Sequence, residues 1–397
     1  MNKIFLTEKK VLRDFQNQNP SQMYSNQKKL YKRYKKNFEH YYTFLFKLPL
    51  KLFNNCELID FGAGTGDNTL FLAENGAKCT LVDMNPEAVK KSKNLFKYYL
   101  KNNLKNHKFI VSSIFNFKFK KKFDFVHSRG ALAHTENPKL AFKKCASFLK
   151  KGGIIIYGDP DRFGGFQNML QRYVIYSLSN NEKEMINNCE LFFQNDINRS
   201  QKYSSRTREE IITDRWIIYK QNDPSFDNVM QWFKSENISL YSSYPPTNQF
   251  LIDSHLNFPK KKLYDLKGTN SINELFWMRK NLNDFEVLNK FIKINQNFIK
   301  AQNKLSSIMS DTRIDSLPDK NKINNSLKNY LKSLNQIQTL EKTEIESTKL
   351  FLKEIKDLLF HVNKKSKNGV LKTINKSKYL FKGNAGVRHV DYIGIKN

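Results

Sequence analysis

Cysteine is scarce in this 397-residue chain: Cys56, Cys79, Cys145 and Cys189 lie far apart, and no Cys-x-x-Cys pair exists. That spacing excludes the usual zinc and dithiol motifs, and it predicts a chain without a metal site, kept in a reducing, cytoplasmic compartment. No stretch approaches the roughly 20 apolar residues that cross a bilayer. The opening residues, MNKIFLTEKKVLRDF, hold no apolar core of signal-peptide length, so neither a transmembrane segment nor a leader is expected. Internal repeats and long low-complexity tracts are also missing. Acidic residues are few, 37 against 68 basic, for a formal net charge of +31. Such an excess suits a polyanionic partner, nucleic acid or an anionic membrane. The lysines are scattered, however, with no arginine-rich arm. Lys, Asn, Ile and Phe are over-used throughout, so composition is the plainer source of the charge.

Apolar material is ample, with 39% hydrophobic residues, 32 Phe and 18 Tyr, enough for a sizeable core. The informative stretch is Glu57 to Pro86. An apolar run, Leu58-Ile59-Asp60-Phe61, leads into Gly62-Ala63-Gly64-Thr65-Gly66. An amphipathic segment, Thr69 to Glu74, follows, then a second apolar run, Cys79 to Val82, that closes on Asp83. This is strand, glycine loop, helix, strand, acid. Glycines let the backbone turn with positive φ and let a ligand approach closely. The helix start aims N–H groups at an anion. An acid at the tip of the second strand is placed to accept from two ribose hydroxyls. A dinucleotide fingerprint would need a small residue where Asp67 stands, and a carboxylate there would face a pyrophosphate and repel it.

The compressed Gly62-x-Gly64-x-Gly66 form resembles motif I of the class I S-adenosylmethionine-dependent methyltransferases. The resemblance extends over about residues 55–160. Phe123-Asp124-Phe125-Val126 followed by His127 to Thr135 is similar to the fourth-strand region of the small-molecule members, and Leu149-Lys150-Lys151-Gly152-Gly153 to the approach to the fifth strand. It implies an α/β fold with a seven-stranded, mostly parallel, doubly wound sheet, and S-adenosylmethionine as cofactor. It also implies cofactor contacts from Asp60, Gly62, Ala63, Gly64, Gly66, Asp83, Met84, Ser113, Ile114, Ser128 and Arg129. One departure stands out. The family usually carries an acid after the third strand for the adenine amino group, and here that position is Ser113.

The rest of the chain is organised around this domain. Residues 1–50 read as an N-terminal helical segment, with an aromatic stripe (Tyr31, Tyr34, Phe38, Tyr41, Tyr42, Phe46) whose default role is packing. In the family such helices often cover the cofactor. Residues 51–246 read as the methyltransferase domain, with a cap at about 160–226. Pro86 to Leu100 is predicted helical with Asn85 as cap, Phe109–Val111 and Phe123–His127 as strands, Lys139–Leu149 as a helix stopped by Lys151-Gly152-Gly153, and Ile154–Tyr157 as the fifth strand. Asp227–Ser235 is predicted helical and Ile238–Tyr244 a sixth strand. His389–Ile395 alternates as a seventh, predicted antiparallel and paired with the fifth and sixth. Residues 247–386 would then be an insertion, helical over Ser271–Met309 and Ile323–Asn363, turning at Asp311–Lys320. Plain packing of a helical hairpin is the simpler reading of it, and an arm for a homodimer the sharper one.

For the chemistry, a sulfonium already carries a reactive methyl group, so the protein mainly aligns the acceptor. His134 is the candidate base, since a neutral imidazole takes a proton near pH 7; ordering of its loop is the alternative. His127 reads as packing at least as well as contact. Arg206, Arg208 and Trp216 in the cap are candidates for an anionic acceptor group, against a structural ion-pair network. The expected activity is methyl transfer to a small-molecule acceptor, a hydroxyl, amine or carboxyl. RNA or protein methylation is the alternative. An Asn/Asp-Pro-Pro-Tyr/Phe motif expected of base-amine methylases after the fourth strand is absent, and Ser128-Arg129-Gly130-Ala131 stands there.

Overall fold

The computed structural model describes residues 3–17, 22–246, 278, 296–335, 342–381 and 389–397. Its centre is one seven-stranded sheet made of β1 (Glu57–Phe61), β2 (Lys78–Asp83), β3 (Lys108–Val111), β4 (Phe123–Arg129), β5 (Leu149–Pro160), β6 (Ile238–Tyr244) and β7 (His389–Lys396). The order across the sheet is β3-β2-β1-β4-β5-β7-β6. The first five strands pair in parallel, and β7 runs antiparallel to both β5 and β6. The expected position and direction of the last strand therefore hold. Tyr392 of β7 pairs with Tyr157 on one side and Ser243 on the other.

Strand alternation explains why both faces are covered. Ile59, Val82, Val126, Ile155 and Tyr392 point to one face, where α5 (Pro138–Ala146) and α9 (Phe226–Ser235) pack. Their neighbours Leu58, Leu81, Phe125, Ile156 and Ile393 point to the other. That face is covered by α3 (Asp67–Glu74), α4 (Pro86–Leu100) and the N-terminal aromatics Tyr24, Tyr31, Tyr42 and Phe46. The stripe is thus core, carried by α2 (Lys28–His40) and the wide turn Tyr41–Leu45. Asn85 caps α4 through its side-chain oxygen, as its spacing predicts. One boundary differs. The helix expected to reach Leu149 ends at Ala146, and Leu149 already pairs with Phe123. Lys151-Gly152-Gly153 lies inside β5, where the register shifts and Gly152 takes a φ of +74°.

The cap and the insertion meet. α6 (Phe166–Ser177), α7 (Glu182–Tyr203) and α8 (Arg208–Ile212) come from the first excursion. From the second come α10 (Gln296–Ser310), α11 (Lys320–Leu334), α12 (Lys342–Asn363) and α13 (Lys367–Lys376). They share one apolar core, in which Phe166, Met169, Phe193 and Trp216 join Phe298, Leu305, Tyr330, Phe351 and Leu358. Neither segment of chain closes that core alone. The turn expected at Asp311–Lys320 separates α10 from α11, and the helical content expected over Ile323–Asn363 is carried by α11 and α12, with 336–341 outside the described residues. Most of the expected helix Ser271–Met309 before α10 lies outside the described residues.

A candidate cofactor and acceptor cavity at the strand tips

A cavity of about 510 Å³ opens at the carboxyl ends of the parallel strands, where ligands of open α/β sheets sit. Its floor is the glycine loop. The N–H of Gly62 donates to the Val82 carbonyl at 2.8 Å, drawing the loop over the tip of β2. Gly62 has a φ of +68°, and a Cβ there would lie 2.3 Å from the Cβ of Ala131, so the approach of the β4 loop requires glycine. The Gly64 N–H donates to Asp83 Oδ2 and the Asn85 N–H to Oδ1, both at 2.8 Å. Burial holds the Asp83 carboxyl above the ordinary carboxylate range, against those donors.

Of the residues expected to contact a cofactor, Gly62, Gly64, Asp83, Met84, Ile114 and Arg129 line the cavity. Other expected residues lie behind that wall. Asp60 is buried, accepting from Thr69 and bonded to His127 Nδ1 at 2.8 Å. His127 accordingly packs inside the sheet. Ser128 is buried and donates to the Phe61 carbonyl at 2.9 Å. Gly66 starts α3 with a φ of +79° and packs on Leu81, Ser92 and Phe96, while Ala63 joins that same apolar layer. Ser112, not Ser113, reaches the cavity, and the Ser113 hydroxyl donates to Glu8. Asp67 does not face the cavity, contrary to the expectation of its charge. Its carboxylate accepts from the N–H groups of Met23 and Tyr24 at 3.1 and 3.2 Å and ties down the N-terminal segment.

The far wall gathers chemistry from distant parts of the chain. Arg129 binds Asp391 of β7 in bidentate fashion, Nε to Oδ1 at 2.6 Å and a terminal nitrogen to Oδ2 at 3.1 Å. Tyr41 donates its hydroxyl to the same carboxylate, and His389 Nε2 lies 3.3 Å from it. Burial opposes charge on both partners, but each holds the other ionised: Asp391 falls well below the carboxylate range and Arg129 rises. His134 follows β4 and donates from Nδ1 to the Lys220 carbonyl at 2.8 Å. A carbonyl can only accept, so the neutral ring keeps its lone pair on Nε2. Phe15 packs edge-on against this ring at 5.5 Å. The loop itself is held by buried Asp159, which accepts from Ala133 N–H at 3.1 Å, and by Asn222 N–H donating to the Ala133 carbonyl at 2.8 Å.

The cap candidates separate. Arg206 lines the cavity, paired with Asp214 at 3.1 Å. Arg208 does not reach it: Arg208 binds Glu190, Asn198 and Gln201 and fastens α8 to α7. Trp216 is fully buried in the helical core, donating to Gln171 Oε1 at 2.9 Å and stacked on Phe193 at 5.2 Å.

The roof was not foreseen in its detail. Glu8, Val11 and Phe15 sit three and four residues apart on one face of α1 (Lys3–Asn17), and all three line the cavity. The adjoining stripe latches the helix down. Lys3 pairs with Glu136 at 2.8 Å, Thr7 donates to Glu136 at 2.8 Å, Lys10 to the Tyr219 hydroxyl at 3.0 Å, and the Tyr219 N–H to Asp14 at 2.8 Å.

Among known proteins, residues 52–233 match a family described as "Methyltransferase domain". A comparison with curated protein sequences finds no match. Solved structures with a similar course include magnesium protoporphyrin IX methyltransferase from Synechocystis with bound S-adenosylhomocysteine (12% identity, TM-score 0.32, 48% of this chain and 67% of that one). A second is the YcgJ protein of Bacillus subtilis (16%, 0.29, 48% and 65%). A third is the N-methyltransferase NodS of Bradyrhizobium japonicum with S-adenosyl-l-homocysteine (16%, 0.30, 39% and 74%). The chain spans 67% and 65% of the length of the first two. Residues 52–233 thus match a methyltransferase-domain family, on a sheet of order β3-β2-β1-β4-β5-β7-β6.

Proposed function

We propose that the protein transfers the methyl group of S-adenosylmethionine to a small-molecule acceptor, with His134 as the base. The carrying observation is the cavity itself. A single space of about 510 Å³ is lined by the glycine loop, Asp83, His134 and Arg206 together, under the roof of α1. That volume is within the range of small-molecule pockets, and with a nucleoside cofactor inside it the remaining room suits an acceptor of metabolite size. The scattered charge of the surface, without a recognisable nucleic-acid module, points the same way.

The residues present fit the cofactor. Asp83 already accepts one N–H on each oxygen and keeps lone pairs for the ribose hydroxyls. Gly62 and Gly64 allow close approach, and Met84 and Ile114 offer apolar surface to a base. Bound there, the sulfonium supplies an electrophilic methyl. The chain orients the acceptor and manages its proton. His134, its tautomer set by the Lys220 carbonyl, takes a proton from an acceptor hydroxyl onto Nε2. The Arg129–Asp391 pair is internally neutral and rigid, so it shapes the wall. Arg206, half-neutralised by Asp214, is the cation for an acceptor carboxylate or phosphate. The division into a sheet unit and a helical lobe, built from the cap at about 160–226 with α10 to α13 of the insertion, belongs to the same reading.

The test offers radiolabelled S-adenosylmethionine with three separate fractions: small metabolites, RNA and protein. Label is expected in the metabolite fraction. Label confined to RNA or protein would sink the proposal.

A further inference from the structure

The wall that should receive the adenine lacks an acid in its own strands. The main chain of Ser112 is drawn to the tip of β2, donating to the Asp83 carbonyl at 2.9 Å, so Met84 and Ile114 stand on one apolar wall. A purine amino group on that wall needs an acceptor, because a buried unpaired N–H is costly. The two serine hydroxyls lead along this wall to a charged acceptor, Ser112 donating to the Ser113 carbonyl at 3.1 Å and Ser113 donating to the Glu8 carboxylate. Three carboxylates line the cavity: Asp83 is tied to the glycine loop, Asp214 is paired with Arg206, and Glu8 is the one beside the Ile114 wall.

Resting on S-adenosylmethionine as cofactor, we propose that Glu8 of the N-terminal helix accepts from the adenine amino group, standing in for the acid that the third strand does not carry. The Ser113 hydroxyl, where that acid would be, aims the carboxylate instead, and is itself held by the Phe115 N–H at 3.1 Å. A carboxylate has room for about four hydrogen bonds and Ser113 uses one. Burial raises the pKa of Glu8, as expected of a carboxylate facing an enclosed apolar site. The same helix presents Val11 to the cavity and Phe15 to His134. Reading of the base and closure over the acceptor end therefore lie on one rigid element, latched by Glu136 and Tyr219 rather than by the sheet.

The experiment titrates the full-length chain with S-adenosylhomocysteine and with its 6-oxo analogue, S-inosylhomocysteine, by calorimetry. The wild type should prefer the amino form by about 10- to 100-fold, the scale of a hydrogen bond to a charged group. Glu8→Ala should abolish that preference by weakening the amino form. Glu8→Gln, which keeps an uncharged acceptor of the same shape, should retain a reduced preference, and it serves if the alanine variant misfolds. A folded Glu8→Ala or Glu8→Gln protein with the full wild-type preference would overturn the proposal. Failure of the wild type to bind either ligand would overturn the cofactor assignment, and this inference with it.

Discussion

The sheet and the helical lobe are built from the same lysine- and phenylalanine-rich composition, yet they use it differently. In the sheet, each strand alternates between two covered faces, and the pattern is local: Leu58 against Ile59, Phe125 against Val126, Ile155 against Ile156. In the lobe, one core is shared by two excursions of the chain that leave the sheet at different places. A residue's role in the sheet can be worked out from a few neighbours in sequence. In the lobe, Trp216 and Arg208 look like ligand-binding residues until α6 and α7 are seen to hold them, Trp216 on Gln171 and Phe193 and Arg208 on Glu190. The lesson is that a polar or aromatic cluster in a cap is as easily the seam of a second core as the wall of a pocket.

That contrast can be broken at its strongest point first. β7 occupies the interior of the sheet between β5 and β6, and it carries Asp391. Truncation after Gly386 should therefore give insoluble protein, read by the soluble fraction after expression; a soluble product that binds cofactor would show that the sheet closes without it. In the lobe, Trp216→Ala should cost about 3–5 kcal/mol of stability in urea unfolding and leave S-adenosylhomocysteine affinity unchanged. A large loss of affinity with normal stability would return Trp216 to the pocket.

Asp83→Ala should do the reverse. Its cofactor affinity should fall by roughly 1.5–3 kcal/mol with the fold intact; an unchanged dissociation constant would remove Asp83 as the ribose ligand. The sheet should also respond to pH through His107. Its buried ring accepts from the Cys79 N–H at 3.2 Å, and burial lowers its pKa to about 4. The unfolded chain, near 6.5, then binds the proton first, so this contribution is complete above pH 6.5 and is lost as pH falls toward 4. The loss should be about 2 kcal/mol after allowance for screening, and His107→Gln should flatten that part of the stability profile. Smallest of all, Arg208→Ala should cost no more than about 1 kcal/mol, the range of exposed pairs, because its contact with Glu190 is one-third open to solvent. Loss of methyl transfer in that variant would contradict its place outside the cavity.

Much of the site was legible because it is local in sequence. The glycine loop and Asp83 follow from strand ends and turn chemistry, Met84 and Ile114 from the resemblance to the methyltransferase family, and His134 from the loop after β4. Glu8 was not, although its face repeats at Val11 and Phe15, since nothing in a helical period says which surface it will cover. Ser113 read as a cofactor contact in place of an acid because its partner, Glu8, lies 105 residues away. Asp67 read as facing a ligand because the backbone amides of Met23 and Tyr24 that claim it come from before the domain.

By itself, then, the sequence determined the strand-and-helix order, the cofactor loop and the return of the last strand, because periodicity, glycine geometry and strand-tip chemistry act within a few residues. The tertiary structure alone decided that Asp391 neutralises Arg129 across 262 residues, that α1 roofs the cavity, and that two separate excursions share one core. Those outcomes depend on which surfaces meet, and burial and charge pairing between distant segments leave no local period in the chain.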